Sequence, residues 1–309
     1  MLVRTEPAYV FDSPLTLSAT RGRREFKTNS GHNNHFLITV LVGLDAVADG
    51  TAVLKPEFST SWSPRDARSS AARSREYALK TSLSWTSDMV DRYRNTLFDL
   101  PDLFDSLSKD RISKLSGSAV RLREVAKELG VVDTVELDVV RLGIHWRNRM
   151  VHSAASSSLD RQVAARLVAR AESIRERHRG MDIRSAIKEA DNGKPPRFKE
   201  VASIIEAGHQ LVQSLDKAAI ERLDFSAYAD SLIAENLQRS AASGSSNGAP
   251  MLWPGNPAKS EARIRQILTQ GGFSSAQKGD RALPASYLES LCSLSARHGR
   301  MRFLPRENA

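Results

Sequence analysis

Apolar residues recur every three or four positions along most of this chain, a spacing that places them on one face of an α-helix. The predicted helices cover about 36–47, 65–97, 112–129, 135–152, 159–179 and 198–237, and two short helical patterns follow at 264–268 and 288–294. The first helix contains several β-branched residues, so a buried strand remains an alternative there. The pattern as a whole predicts an all-α fold.

Local signals mark the ends of several of these helices. Ser63 and Pro64 form a start signal for the helix at 65–97. Gly130 is a C-terminal stop for the helix at 112–129. Asp133 and Glu136 have the spacing of a capping box, in which the side chains at a helix start bond each other's backbone N–H groups. We therefore expect the next helix to begin immediately after Asp133.

The first 31 residues show no helical stripe. Pro7 and Pro14 would interrupt a helix, and the short apolar segments 9–11 and 15–17 favour strands. This part of the chain is predicted to be extended.

Two polar segments divide the rest of the chain. Residues 191–196 read as a loop, and residues 240–259 are rich in Ser, Gly, Asn and Pro. We expect an N-terminal extended segment (1–31), a helical bundle (32–180), accessory helices (195–239), a linker or loop (240–259) and a small C-terminal helical segment (260–309).

The charge balance narrows the choice of partners. The 309 residues include 45 Lys plus Arg against 36 Asp plus Glu, a formal charge of +9. Such an excess favours an anionic partner, with nucleic acid first, although an inert basic surface explains it equally well. The one cysteine, Cys292, lies in an apolar pattern that is typical of a core position rather than of a nucleophile.

The chain shows no membrane or secretion signal that we can identify. Its first residues carry Arg4 and Glu6 without an apolar run, and the longest apolar run, 36–44, is too short to span a bilayer. One cysteine allows no intrachain disulfide, which fits a reducing compartment. We expect a cytoplasmic protein without membrane contact.

The chemistry-bearing segment is 145–152, His-Trp-Arg-Asn-Arg-Met-Val-His, at the end of the fourth predicted helix. Arg147 is a permanent cation whose forked N–H groups suit phosphate oxygens. His152 can give and take protons near neutral pH. RNA cleavage without a metal needs a base for the 2′-OH, an acid for the 5′-oxygen and positive charge at the phosphorus, and these residue types supply them.

Residues 147–152 resemble the signature of HEPN domains, an Arg followed by a polar residue, three further residues and a His. The resemblance covers about residues 30–180 and extends to the long helix that carries the motif. It implies a HEPN-like helical bundle and a metal-independent endoribonuclease without a cofactor. Because HEPN sites usually combine two motifs and this chain has one, it also implies a homodimer.

The resemblance assigns roles by position. Arg147 would bind and polarise the scissile phosphate, His152 would be the general acid and base, and Asn148 would orient His152 or the phosphate. His145 and Arg149 share a helix face with His152 and are secondary candidates for substrate contact. Arg147 and His152 are separated by roughly 140° on a regular helix, so a second chain or a helix break after Met150 would help them meet.

In some of the families that the chain resembles, an acidic or polar residue on an earlier helix lies near the motif. Glu76 and Asp88 are both candidates, and the sequence does not choose between them.

The charged residues of the motif and two other histidines also have interpretations without chemistry. Arg147, Arg149 and His152 could simply offset the negative end of the helix dipole. His32 and His35 lack nearby Cys or clustered carboxylates, so solvated loop histidines are favoured over a metal site. The chain contains no phosphate-binding Gly-rich loop and no Gly-x-Ser-x-Gly or His-Glu-x-x-His motif.

We expect a HEPN-type endoribonuclease that cleaves RNA by 2′-OH attack, in bacterial antiphage defence or a toxin–antitoxin system. A neutralising antitoxin or regulator would be a separate chain. The alternatives are a non-catalytic HEPN module that binds RNA, nucleotide or a partner protein, and a helical scaffold without a nucleic-acid role.

Overall fold

The computed structural model describes residues 14–52, 55, 66–151, 158–243 and 248–304. Within these ranges the chain forms fourteen helices and two three-residue strands, so the prediction of an all-α fold is confirmed. The helices are α1 (Arg21–Ala48), α2 (Ala67–Phe98), α3 (Ser106–Ser113), α4 (Ser118–Glu128), α5 (Val135–Val151), α6 (Arg161–Ala169), α7 (Ala171–Arg177), α8 (Ile183–Asp191), α9 (Phe198–Arg222), α10 (Phe225–Ala242), α11 (Gly248–Leu252), α12 (Pro257–Gln270), α13 (Ala285–Cys292) and α14 (Ala296–Phe303), and the strands are β1 (Leu15–Leu17) and β2 (Phe273–Ser275).

The chain folds into two compact units. The first comprises residues 1–24, 97–106 and 219–309 and contains α10 to α14. Here β1 and β2 pair antiparallel, with Leu17 opposite Phe273. Tyr228 of α10 stacks on Phe273 and donates a hydrogen bond to the carbonyl oxygen of Gly271, which fixes the turn before β2.

The second unit comprises residues 25–96 and 107–218 and carries the candidate site. Helix α5 contacts α4, α6 and α8, and most of its residues are buried. Gly143 allows a close approach, because a Cβ at that position would lie 2.6 Å from Cγ2 of Ile204 on α9. Packing on several sides therefore fixes where the last turns of α5 point.

A buried ionic network ties α5 to α6. Asp138 is 1% exposed and accepts two hydrogen bonds from Arg166, at 2.8 Å from Nε and 2.6 Å from Nη2. These bonds raise the pKa of Arg166, since they favour its charged form. Arg141 lies between Asp138 and Asp160, the N-cap of α6, and burial lowers its pKa.

Several predicted elements are confirmed. The segment 15–17 is a strand, and α2 and α5 begin and end within two residues of their predicted bounds. Gly130 has a φ of +76°, a backbone conformation that suits glycine directly after the end of α4. The predicted strand at 9–11 and the start signal at Ser63 and Pro64 lie outside the described residues.

Other predicted bounds were wrong in recognisable ways. The helix at 112–129 is divided at Gly117, whose φ is +86°, and the helix at 159–179 is divided at Arg170. The helix at 198–237 is divided before Asp224, whose side chain caps α10. In each case the apolar residues keep their helical spacing across a point at which the backbone leaves the helical conformation.

The remaining corrections concern helix starts and short elements. Helix α1 begins at Arg21 inside the segment expected to be extended, and it carries His32 and His35, which were expected in a loop. Thr134, rather than Asp133, caps α5, since its Oγ1 accepts from the N–H of Leu137. Helices α8, α11 and α14, strand β2 and all of α3 before Ile112 were not predicted.

Two further observations bear on the sequence-based expectations. Cys292 is buried, and burial raises the pKa of its thiol to about 12, so the predicted core position is confirmed. Among the described residues, none of the helices combines the length and the apolar character needed to cross a membrane.

Candidate active site

The last turns of α5 are anchored by a loop that follows α8. Trp146 is fully buried and donates a 2.7 Å hydrogen bond from Nε1 to the carbonyl oxygen of Lys194. Gly193 takes a φ of +63° beside the backbone of Arg149, a conformation that most side chains disfavour. The loop at 192–194 therefore closes tightly over one side of α5.

Asp191 connects this loop to three parts of the second unit. Its Oδ1 lies 2.8 Å from Nε2 of His145 and accepts from the N–H of Leu159 at 3.0 Å. Its carbonyl oxygen accepts from Nε of Arg149 at 3.0 Å. His145 and Arg149, the two secondary candidates for substrate contact, thus both bond to Asp191 in this structure.

Arg147 is on a different side of α5 and bonds to two other residues. Its Nη1 donates to Oδ1 of Asn148 at 3.2 Å, and its Nη2 lies 3.4 Å from Oδ1 of Asp88 on α2. Of the two acidic candidates, Asp88 is therefore the residue that bonds Arg147, and Glu76 is not. Asn148 accepts a hydrogen bond from the guanidinium of Arg147 and so orients it. The sequence-based expectation was that Asn148 orients His152 or the phosphate.

The guanidinium of Arg147 keeps hydrogen-bonding capacity for a ligand. The side chain is 28% exposed, whereas its Nε is buried and has no hydrogen-bond partner among the described residues. A guanidinium offers five N–H donors, and the two bonds to Asn148 and Asp88 use two of them. A partly exposed arginine held in one orientation is well suited to bind two oxygens of a phosphate.

His152 lies outside the described residues, and it directly follows Val151, the last residue of α5. The helix continues through Met150 to Val151 without the break that was suggested as one way of bringing Arg147 and His152 together.

A pocket opens beside the partner of Arg147. It has a volume of about 420 Å³ and lies between α1 and α2. Trp85, Asp88 and Arg92 form one wall from successive turns of α2, and Asn29 of α1 contributes to the lining. Trp85 is 53% exposed. The sequence analysis had not singled out Trp85, because a lone aromatic in a helical stripe is typical of a core residue.

A second pocket of about 540 Å³, between α1 and α9, contains a serine–histidine pair. Ser30 Oγ lies 2.7 Å from Nε2 of His209, and burial lowers the pKa of that histidine. Both residues lie inside long helices, whose backbone N–H groups are committed to helical hydrogen bonds. Because no oxyanion hole can form from such amides, we interpret the pair as a contact between helices.

The described residues contain no cluster of His, Cys, Asp and Glu side chains that could hold a metal ion. Comparisons with models of known families, with curated proteins and with solved structures found no match. Assignment of a function to this chain therefore depends on the chemistry of its own residues.

Proposed function

We propose that this protein is a metal-independent endoribonuclease of HEPN type. The observation that carries the proposal is the environment of Arg147, whose guanidinium is held by Asn148 and Asp88 and remains partly exposed. Arg147 lies five positions before His152 in the sequence. An oriented phosphate-binding cation and a proton-transfer group are thus provided by one short segment.

The proposed reaction is an internal displacement at phosphorus. A base removes the proton from the ribose 2′-OH, the 2′-oxygen bonds to phosphorus, and the bond to the 5′-oxygen breaks as that oxygen receives a proton from an acid. The products are a 2′,3′-cyclic phosphate and a 5′-hydroxyl. Arg147 stabilises the negative charge that grows on the phosphate oxygens, and His152 transfers the protons.

The reaction needs a base and an acid together, and each chain has one such histidine in the motif. A homodimer would supply two copies of His152 to one cleft, which is the arrangement the HEPN resemblance implies.

We further propose that the activity belongs to bacterial antiphage defence or to a toxin–antitoxin system, with a separate protein as antitoxin or regulator. A non-catalytic HEPN module is the alternative, because the pocket beside Asp88 could bind RNA or nucleotide without any cleavage. The two candidates differ in one respect: the nuclease needs proton transfer by His152, and the non-catalytic module does not.

The experiment is to incubate the purified protein with end-labelled RNA in excess EDTA and to identify the product ends. Cyclic phosphate and 5′-hydroxyl ends are expected, and an RNA with one 2′-deoxyribose should resist cleavage at that position. Absolute dependence on added Mg²⁺ or Mn²⁺, or cleavage at the 2′-deoxy position, would contradict the mechanism.

A further inference from the structure

The pocket between α1 and α2 and the contact of Arg147 share one residue, Asp88. Asp88 bonds Nη2 of Arg147 through Oδ1 and also lines this pocket. A group that occupies the pocket therefore lies beside the carboxylate that bonds Arg147. If Arg147 holds a phosphate of RNA, the pocket receives the part of the nucleotide attached to it.

The chemistry of the wall favours a nucleobase over a second phosphate at this point. The carboxylate of Asp88 repels an anion, whereas it can accept hydrogen bonds from the polar edge of a base. Trp85, one helical turn before Asp88, presents a half-exposed indole to the same space. Aromatic side chains of this kind are the usual stacking platforms for unpaired bases.

The other end of the wall is suited to the continuing backbone. Arg92 is exposed and lies one turn beyond Asp88 on α2. Two cations, Arg147 and Arg92, therefore flank the proposed base-binding residues Asp88 and Trp85. A single strand of RNA alternates phosphate and base in the same way, and a volume of about 420 Å³ falls within the usual range for ligand pockets.

We propose that this pocket binds one unpaired base of RNA next to the scissile phosphate, with the base stacked on Trp85. The proposal rests on the proposed function in that RNA is the occupant. It makes Trp85 a substrate-binding residue, and it implies a preference for single-stranded RNA, because a base must be unpaired to stack on a side chain.

The test measures binding rather than cleavage. A fluorescein-labelled RNA with 2′-O-methyl riboses cannot undergo 2′-OH attack, and its affinity is measured by fluorescence anisotropy at one fixed salt concentration, because electrostatic binding varies with salt. Trp85→Ala is compared with wild type, and Trp85→Phe retains an aromatic face. The control is Tyr77→Ala, which removes a 74% exposed aromatic from α2 at a position outside the pocket.

Trp85→Ala should bind about 5- to 150-fold more weakly, the range expected from loss of one stacked base, while Trp85→Phe and Tyr77→Ala stay within about threefold of wild type. Thermal unfolding of all three variants should match wild type, because both aromatics are largely solvent-exposed. Equal affinities for Trp85→Ala and Tyr77→Ala would overturn the base pocket. So would a Trp85→Phe variant as weak as Trp85→Ala.

The same variants keep this proposal separate from the proposed function. Weak binding by Trp85→Ala alone, in a protein that never cleaves RNA, would support the pocket and reject the nuclease. Normal binding by Trp85→Ala, in a protein that does cleave RNA, would reject the pocket and leave the nuclease intact.

Discussion

Substitution of Asp88 perturbs the orientation of Arg147 without changing Arg147 itself. Asp88→Asn removes the negative charge and keeps a side chain of the same size, so the guanidinium loses an ionic partner but no packing. The pair has an Nη2 to Oδ1 distance of 3.4 Å, and the Asp88 side chain is 66% exposed. Exposed pairs of this kind contribute about 0–1 kcal/mol to stability, so the fold should tolerate the change.

Catalysis should be more sensitive than stability to this substitution. Displacement of a catalytic group by about 1 Å can cost up to about 100-fold in rate, so we expect Asp88→Asn to slow cleavage by about 10- to 100-fold. The assay is single-turnover cleavage at saturating enzyme concentration, which removes effects on RNA affinity, with urea unfolding of the same samples. Asp110→Asn is the matched control, because Asp110 lies on α3 and forms an exposed ion pair with Lys114. Cleavage by Asp88→Asn at the rate of the control would refute the view that Asp88 positions Arg147.

Three other predictions concern assembly, the ionic network and pH. Mixing an Arg147→Ala chain with a His152→Ala chain should restore part of the activity if one centre draws on two protomers, whereas full activity from a protein that light scattering shows to be monomeric would contradict the dimer. Asp138→Ala should lower the free energy of unfolding by about 3–5 kcal/mol, because it removes the buried carboxylate beside Arg141 and the acceptor of two hydrogen bonds from the partly exposed Arg166, and a loss below about 1 kcal/mol in urea titrations would refute that role. His178 is buried, neither of its ring nitrogens has a partner among the described residues, and burial lowers its pKa, so it stays neutral in the fold. Stability should therefore fall as pH drops through about 6.5, where the unfolded chain takes up the proton, and His178→Gln should make that fall smaller in unfolding curves, with the contribution of His209 remaining.

The helix that carries the candidate site could be predicted because its signals are local. The apolar positions of α5 recur at helical spacing, and Gly130 ends the helix before it. These features depend on residues a few positions apart, which a sequence displays directly. The breaks at Gly117 and Arg170 were missed because the apolar stripe continues across them.

The partners of the site residues could not be predicted, because they are distant in sequence. Asp191 is 46 positions from His145, and Asp88 is 59 positions from Arg147. The sequence supplied Asp88 as one of two candidates, and only the packing of α2 beside α5 distinguishes it from Glu76. The pocket at Trp85 could not be predicted either, because the helical spacing of apolar residues does not distinguish an exposed tryptophan from a buried one.

The most direct test of the central claim is the RNA cleavage rate of His152→Ala in excess EDTA, beside wild type and the control His35→Ala. His35 is an exposed histidine on α1, so its loss removes the same side chain from a surface away from the motif. If His152 transfers protons at the scissile phosphate, His152→Ala should be about 10²- to 10⁴-fold slower than wild type, with His35→Ala unchanged and unfolding curves that coincide. A rate for His152→Ala within about threefold of wild type would contradict the account and reduce the motif to the charged end of a helix.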